Sequence, residues 1–175
     1  MQDSYETLLV DHPQDHVLRV TFNRPDRRNA MNTQLGREML DLFTSMLLDP
    51  GDTRIVILTG AGDKAFCAGG DLKERDGMTD ETWRLQHAIF EQATYNMIDC
   101  PVPVIAAVNG SAFGGGCEMA LAADFIYAAE GARFALTEIT LGIIPGCGGT
   151  QNLPRAAGSR RAKEILYTGT PFTAE

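Results

Sequence analysis

Apolar and polar positions alternate through Val17 to Phe22, VLRVTF, with Val17, Arg19 and Thr21 set against Leu18, Val20 and Phe22. This two-residue period belongs to a strand with one covered face. The β-rich run Tyr5 to Val10 precedes it, so Tyr5–Val10 and His16–Phe22, joined by DHPQD, predict an opening hairpin. After a charged turn, Asn23 to Met31, in which Pro25 blocks regular pairing, the period lengthens. Leu35, Met39, Leu42 and Met46 recur at helical steps and predict a core stripe on a helix capped by Asn32 and ended by Asp49-Pro50-Gly51. Arg54 to Thr59 is nearly continuous apolar sequence, as expected of a strand covered on both faces. Asp80 to Ile98 predicts a long helix with Trp83, Ile89 or Phe90, Ala93 and Met97 on its buried side. Val102–Val108 and Asp124–Ala129 read as further strands and Ala132–Leu136 as an edge piece. Thr137–Gly149 reads as glycine-punctuated loop, and two short helices, Thr150–Ala157 and Ser159–Leu166, flank Gly158. The recurring order of strand, glycine-rich loop and helix is that of an α/β fold.

Composition narrows this picture. The 175 residues provide one hydrophobic core, so residues 1–175 are read as a single folding unit. The abrupt end, with Thr173 offered as a cap and no helix after it, leads us to expect a truncated core. A net charge of -8 argues against a nucleic-acid partner, yet leaves room for an anionic small ligand where Arg24, Arg27 and Arg28 cluster. No apolar run has the length of a membrane span. The amino terminus MQDSYETLLV resembles neither a secretion signal nor a transit arm, which predicts a cytoplasmic protein; a processed protein of the mitochondrial matrix would begin the same way. The four cysteines, Cys67, Cys100, Cys117 and Cys147, lack metal-ligand spacing and read as reduced thiols, with no metal site expected.

The chemistry concentrates in Asn109 to Asp124, NGSAFGGGCEMALAAD. Three consecutive glycines remove every β-carbon from a helix entrance and leave free N–H groups suited to negative charge. Neither this stretch nor GAGDKAFCAGG follows a nucleotide-binding fingerprint. Glu118 and Glu138 each stand among apolar neighbours, where burial favours the neutral carboxyl and suits it to proton transfer. For Glu118 a second reading is a carboxylate satisfying helix-terminal N–H groups, and for Glu138 a pair with Arg133 or Arg155. Asp71 and Asp124 read mainly as caps or loop clamps.

AFCAGGDL at Ala65–Leu72, PVIAAVNGSAFGGGCEMALAADF at Pro103–Phe125 and FALTEITLGIIPGCGGTQNLPRAAG at Phe134–Gly158 resemble, in order and separation, the central motifs of the enoyl-CoA hydratase/isomerase (crotonase) superfamily. The likeness runs from Tyr5 to the last residue. It implies a crotonase-like spiral of ββα units lacking the C-terminal helical region usual in the family. It also implies an acyl-CoA thioester substrate and an oxyanion hole of two backbone N–H groups, which fall on Gly70 and Gly115. Both acids of the family's hydratases have counterparts, at Glu118 and Glu138, so the resemblance points to reversible hydration of a 2-enoyl-CoA to a 3-hydroxyacyl-CoA with no separate cofactor. Ala68 and Arg28 fall where relatives meet coenzyme A, Asp71 follows in the same loop, and Trp83 could line the acyl pocket or be an ordinary core residue. Two alternatives stay open: a double-bond isomerase or branched-chain hydratase of the same superfamily, and a catalytically weak CoA-thioester binding module. A homotrimer or homohexamer is expected of a full-length relative.

Overall fold

The computed structural model describes residues 4–174. Strand β1 (Leu8–Gln14) pairs antiparallel with β2 (Val17–Phe22), Leu8 opposite Phe22. The hairpin is therefore present, but its first arm starts at Leu8 and runs through most of DHPQD. Ahead of Leu8 the Thr7 carbonyl still accepts the Asn23 amide at 2.8 Å, while the Glu6 and Thr7 amides turn to the side chain of Glu38. Its carboxylate accepts the Glu6 amide at 2.7 Å, the Thr7 amide at 2.9 Å and the Thr7 hydroxyl at 2.6 Å. Burial pushes this carboxyl up, but the hydrogen bonds from Thr7, Gln34 and the Glu6 amide outweigh it and hold Glu38 below its ordinary value. A depressed acid contributes stability above its unfolded-state pKa and loses it as pH falls through the folded-state value. Glu38→Ala is accordingly expected to cost about 3 kcal/mol near neutral pH. Denaturant midpoints compared with wild type at neutral and acid pH should show that gap closing on acidification.

Helix α1 (Thr33–Leu48) begins where Asn32 accepts the Leu35 amide at 3.0 Å, and its stripe Leu35, Met39, Leu42 and Met46 is buried as expected. Strand β3 (Ile55–Gly60) adds in parallel to β2. The chain then enters β4 (Ala65–Cys67), the short helix α2 (Leu72–Arg75) and the long helix α3 (Asp80–Ile98). Helices α1 and α3 approach closely at Gly36, where a β-carbon would stand 2.3 Å from the Phe90 ring. The next unit repeats the plan: β5 (Val104–Val108), β6 (Ser111–Phe113) and helix α4 (Gly115–Ala122). A third follows with β7 (Phe125–Ala128), β8 (Arg133–Ala135), a 3-10 turn over Glu138–Leu141, and helices α5 (Gly149–Ala157) and α6 (Ser159–Thr168). Strand β9 (Phe172–Thr173) closes the described chain.

Each unit gives one strand to each of two sheets. The larger has the order β1-β2-β3-β5-β7 and the smaller β4-β6-β8-β9, parallel in both except at β1-β2 and β8-β9. Phe22 and Phe66 meet edge to face across the layers, ring centres 5.3 Å apart. Where the chain leaves one sheet for the other, Asn109 fastens two equivalent junctions: its amide donates to the Gly60 and Gly62 carbonyls, both at 2.8 Å.

The structure corrects several expectations. β4 and β6 lie in stretches read as loop or turn, because three residues are too short to show a period. β8 is interior to its sheet, paired with both β6 and β9, and Thr173 lies in β9 opposite Arg133 rather than capping a helix. Trp83 is 40 % exposed, whereas Phe90, Ala93 and Met97 form the buried side of α3.

Candidate active site

The glycine-rich entrance of α4 packs directly on β4. A β-carbon on Gly116 would stand 2.1 Å from the Cys67 carbonyl oxygen, and one on Gly69 only 2.7 Å from that of Phe113. Only glycine lets these two segments run side by side, and the contact brings Gly70 and Gly115 to one cleft of about 620 Å³. Met31 donates its amide to Gly69 at 2.8 Å and accepts that of Asp71 at 2.9 Å. Gly70, between those rungs, therefore directs its own N–H away from Met31. Gly115 opens α4, where a first-turn N–H has no acceptor within its helix.

Two carboxyl groups face the same cleft in contrasting surroundings. Glu118 is 2 % exposed, and its Oε1 accepts the amides of Cys147 at 2.7 Å and Gly149 at 2.8 Å. Since Gly149 opens α5, the acid of one helix satisfies the N-terminus of another, so one of the two sequence readings is realised with an unforeseen partner. Burial pushes Glu118 above its ordinary value; the Gly149 and Cys147 amides pull against this, and nearby Glu138 adds to the rise. Glu138 opens the 3-10 turn, and its Oε2 is buried without a hydrogen-bond partner. Burial raises this carboxyl too, opposed only in part by its own backbone amide. Among the described residues it pairs with neither Arg133 nor Arg155.

Ala68 and Trp83 also line the cleft, Trp83 stacked on His87 with ring centres 5.0 Å apart. Asp71 and Arg28 do not line it. Asp71 caps α2 through Lys73 and Glu74 and binds Arg24 at 2.9 Å, so it fixes the loop rather than facing a ligand. Burial opposes the Asp71 charge, but the Arg24 hydrogen bond and the α2 amides hold the carboxyl below its ordinary value. Arg24, part of the charged turn, is thus mostly buried in that pair, and it also donates to the Ala30 carbonyl. Arg28 stands over a separate depression of about 160 Å³ with Pro25 and Lys64; only its backbone reaches the glycine loop, accepting the Ala68 amide at 3.0 Å. Asp124 is the clamp expected of it, accepting the Val104 amide at 2.7 Å.

Burial pushes the thiols of Cys67, Cys117 and Cys147 up to about 12, which leaves almost no nucleophilic thiolate near neutrality. Among the described residues no cluster of three or more His, Cys, Asp or Glu could hold a metal ion, and no helix is long and apolar enough to cross a membrane. Sequence reasoning missed Met31, Arg75 and His87 on the cleft wall. An arginine in LKER carries no signal that separates it from an ordinary solvated helix charge.

Fold and cleft together define an α/β protein of repeated ββα units whose glycine-built helix entrance faces two buried acids. The chain belongs to the enoyl-CoA hydratase/isomerase family, whose family model matches residues 12–175. It is 39% identical over 173 residues to the crotonyl-CoA hydratase of Syntrophomonas wolfei, covering 98% of this chain and 65% of that protein. It is also 39% identical over 184 residues to the human mitochondrial Delta(3,5)-Delta(2,4)-dienoyl-CoA isomerase, covering 98% of this chain and 56% of that one. The crystal structure of an enoyl-CoA hydratase from Bacillus anthracis superposes with a TM-score of 0.93 at 47% identity, over 97% of this chain and 65% of its own. The chain thus spans about two thirds of the length of these bacterial relatives, and the crotonase-like spiral read from the sequence is its fold.

Proposed function

We propose that this protein adds water reversibly to a 2-enoyl-CoA thioester, giving the 3-hydroxyacyl-CoA. The observation that carries the reading is the contrast between two acids at one cleft. Glu118 accepts two backbone N–H groups, contacts that favour a carboxylate, while Glu138 has a buried, unpartnered oxygen that favours the protonated form. Glu118 then orients a water and takes its proton as the water oxygen bonds to Cβ. The double-bond electrons move toward the thioester carbonyl, whose oxygen gathers charge at the Gly70 and Gly115 amides. Glu138 delivers its proton to Cα, and exchange with solvent restores both acids. No redox group or metal enters this sequence. Coenzyme A is part of the substrate, with Ala68 beside its adenine, Trp83 along the acyl chain, and Arg28 with Lys64 as the basic pair toward phosphate.

Purified protein is expected to remove the enoyl-thioester absorbance of crotonyl-CoA. The likeness to the dienoyl-CoA isomerase keeps a second reaction in view. An isomerase would instead convert a 3-enoyl-CoA and leave crotonyl-CoA without added water; binding with neither reaction would leave a CoA-thioester binding module. A homotrimer or homohexamer is proposed on the family likeness, and exposed Phe125 and Tyr127 on edge strand β7 offer an apolar surface for association.

A further inference from the structure

One cation on the cleft wall has no part in the hydration steps. Arg75 ends α2, and its Nε donates to Gln86 Oε1 at 2.9 Å. Gln86 is 1 % exposed and cannot turn over, because its amide nitrogen is committed to the Thr33 hydroxyl at 2.7 Å and to Glu74 Oε2 at 2.8 Å. Glu74 is itself fixed by the Thr33 amide at 2.8 Å. The guanidinium is thereby held over Phe90, its Cζ 5.8 Å from the ring centre, and beside Gly70, where a β-carbon would stand 3.0 Å from both Cζ and Nη1. Among the described residues no carboxylate lies within salt-bridge distance of it. The imidazole of His87 and the carboxylate of Glu91, also on this wall, face each other at 3.4 Å.

A guanidinium held by a buried amide, with its terminal nitrogens on a cleft and no counter-ion, is a carboxylate receptor. Burying such a cation beside a purely hydrocarbon acyl chain would cost desolvation with no return. We infer that the substrate is a short 2-enoyl-CoA whose acyl chain carries a carboxylate, bound by Arg75 next to the Gly70 amide. The inference rests on the hydratase reading for the word substrate; the recognition of an anionic acyl group does not depend on turnover. Gln86 acts through Arg75 as a positioning residue.

The test compares glutaconyl-CoA, a 2-enoyl thioester with a terminal carboxylate, with crotonyl-CoA and with the methyl ester of glutaconyl-CoA. The free carboxylate is expected to be preferred by about tenfold or more in kcat/KM over both. Arg75→Met should erase that preference, lowering kcat/KM for glutaconyl-CoA by about tenfold or more while crotonyl-CoA stays within about threefold. Equal use of the three thioesters by wild-type protein overturns the proposal. So does an equal loss on all of them in the variant, which would mean that Arg75 only balances Glu118 and Glu138. Should Arg75→Met not fold, the wild-type comparison of acid and ester decides alone. If no thioester is hydrated, calorimetry with the saturated glutaryl-CoA and butyryl-CoA separates the two readings. Tighter binding of glutaryl-CoA sustains the anionic acyl group while hydration fails, and equal binding overturns the inference.

Discussion

Glu138→Gln is expected to lower kcat for hydration of crotonyl-CoA by about 10²–10⁴-fold, with KM little changed. The side chain keeps its shape and loses only the proton it transfers. Its Oε2 is buried without a hydrogen-bond partner, and burial raises its carboxyl, so the Glu138 charge is poorly supported there. The same substitution has a stability signature of opposite sign. With the folded-state pKa raised, the unfolded chain ionises first as pH climbs, so wild-type protein loses stability across the interval from the unfolded to the folded value. Glu138→Gln removes that loss. Thermal midpoints of the two proteins should coincide at acid pH and diverge in favour of the variant as pH rises. A variant that is inactive and also less stable at every pH would mean that Glu138 holds the 3-10 turn together and transfers no proton.

Gly115→Ala should cost about 10²–10³-fold in kcat while the chain still folds. The added methyl would stand 2.4 Å from the Met31 methyl and 4.0 Å from Glu118 Oε2, so it occupies space at the cleft. Met31 can yield because its thioether end is flexible. Packing strain is expected to be limited to about 1–3 kcal/mol. Gly116 differs: its methyl would meet the Cys67 carbonyl, which is backbone and cannot yield. Steady-state kinetics of Gly115→Ala alone and with Met31→Val separates donor from packing. Recovery of full activity in the double variant would assign the loss to Met31 crowding rather than to the amide at Gly115.

What the sequence made readable follows from the range of the forces involved. Helix α1 declares itself because its cap lies three residues from the amide it accepts, Asn32 to Leu35, and α3 because Phe90, Ala93 and Met97 recur at helical steps. Sequence reasoning missed the cap of α3, Thr79, which accepts the Thr82 amide. Strand β3 shows as a nearly unbroken apolar run, yet only its alternate residues Val56, Leu58 and Gly60 are buried, and the face carrying Ile55 and Ile57 is half-buried rather than covered as expected. The acids stood out for the same reason, charge in apolar sequence, and the structure brings Glu118, Glu138, Gly70 and Gly115 to one cleft. Partners set by the fold were not readable. The amides that hold Glu118 come from the loop at Cys147–Gly149, and the carboxylate that holds Arg24 is Asp71. Of the two readings of Trp83, core residue or pocket wall, the structure takes the second: it is 40 % exposed and lines the cleft, while Phe90 on the same helix packs against α1 at Gly36. Arg75 gains meaning only through Gln86, which nothing in the sequence marks as buried.

On the proposed reading, the paired acids add the elements of water across an enoyl thioester. Mass and NMR analysis of the product formed from crotonyl-CoA in water labelled with heavy oxygen and deuterium tests it most directly. Hydration by this site is expected to place one labelled oxygen on C3 and one deuteron on a single face of C2, with Glu138→Gln abolishing both. Recovery of crotonyl-CoA unchanged, or of a shifted double bond carrying deuterium but no labelled oxygen, would contradict it.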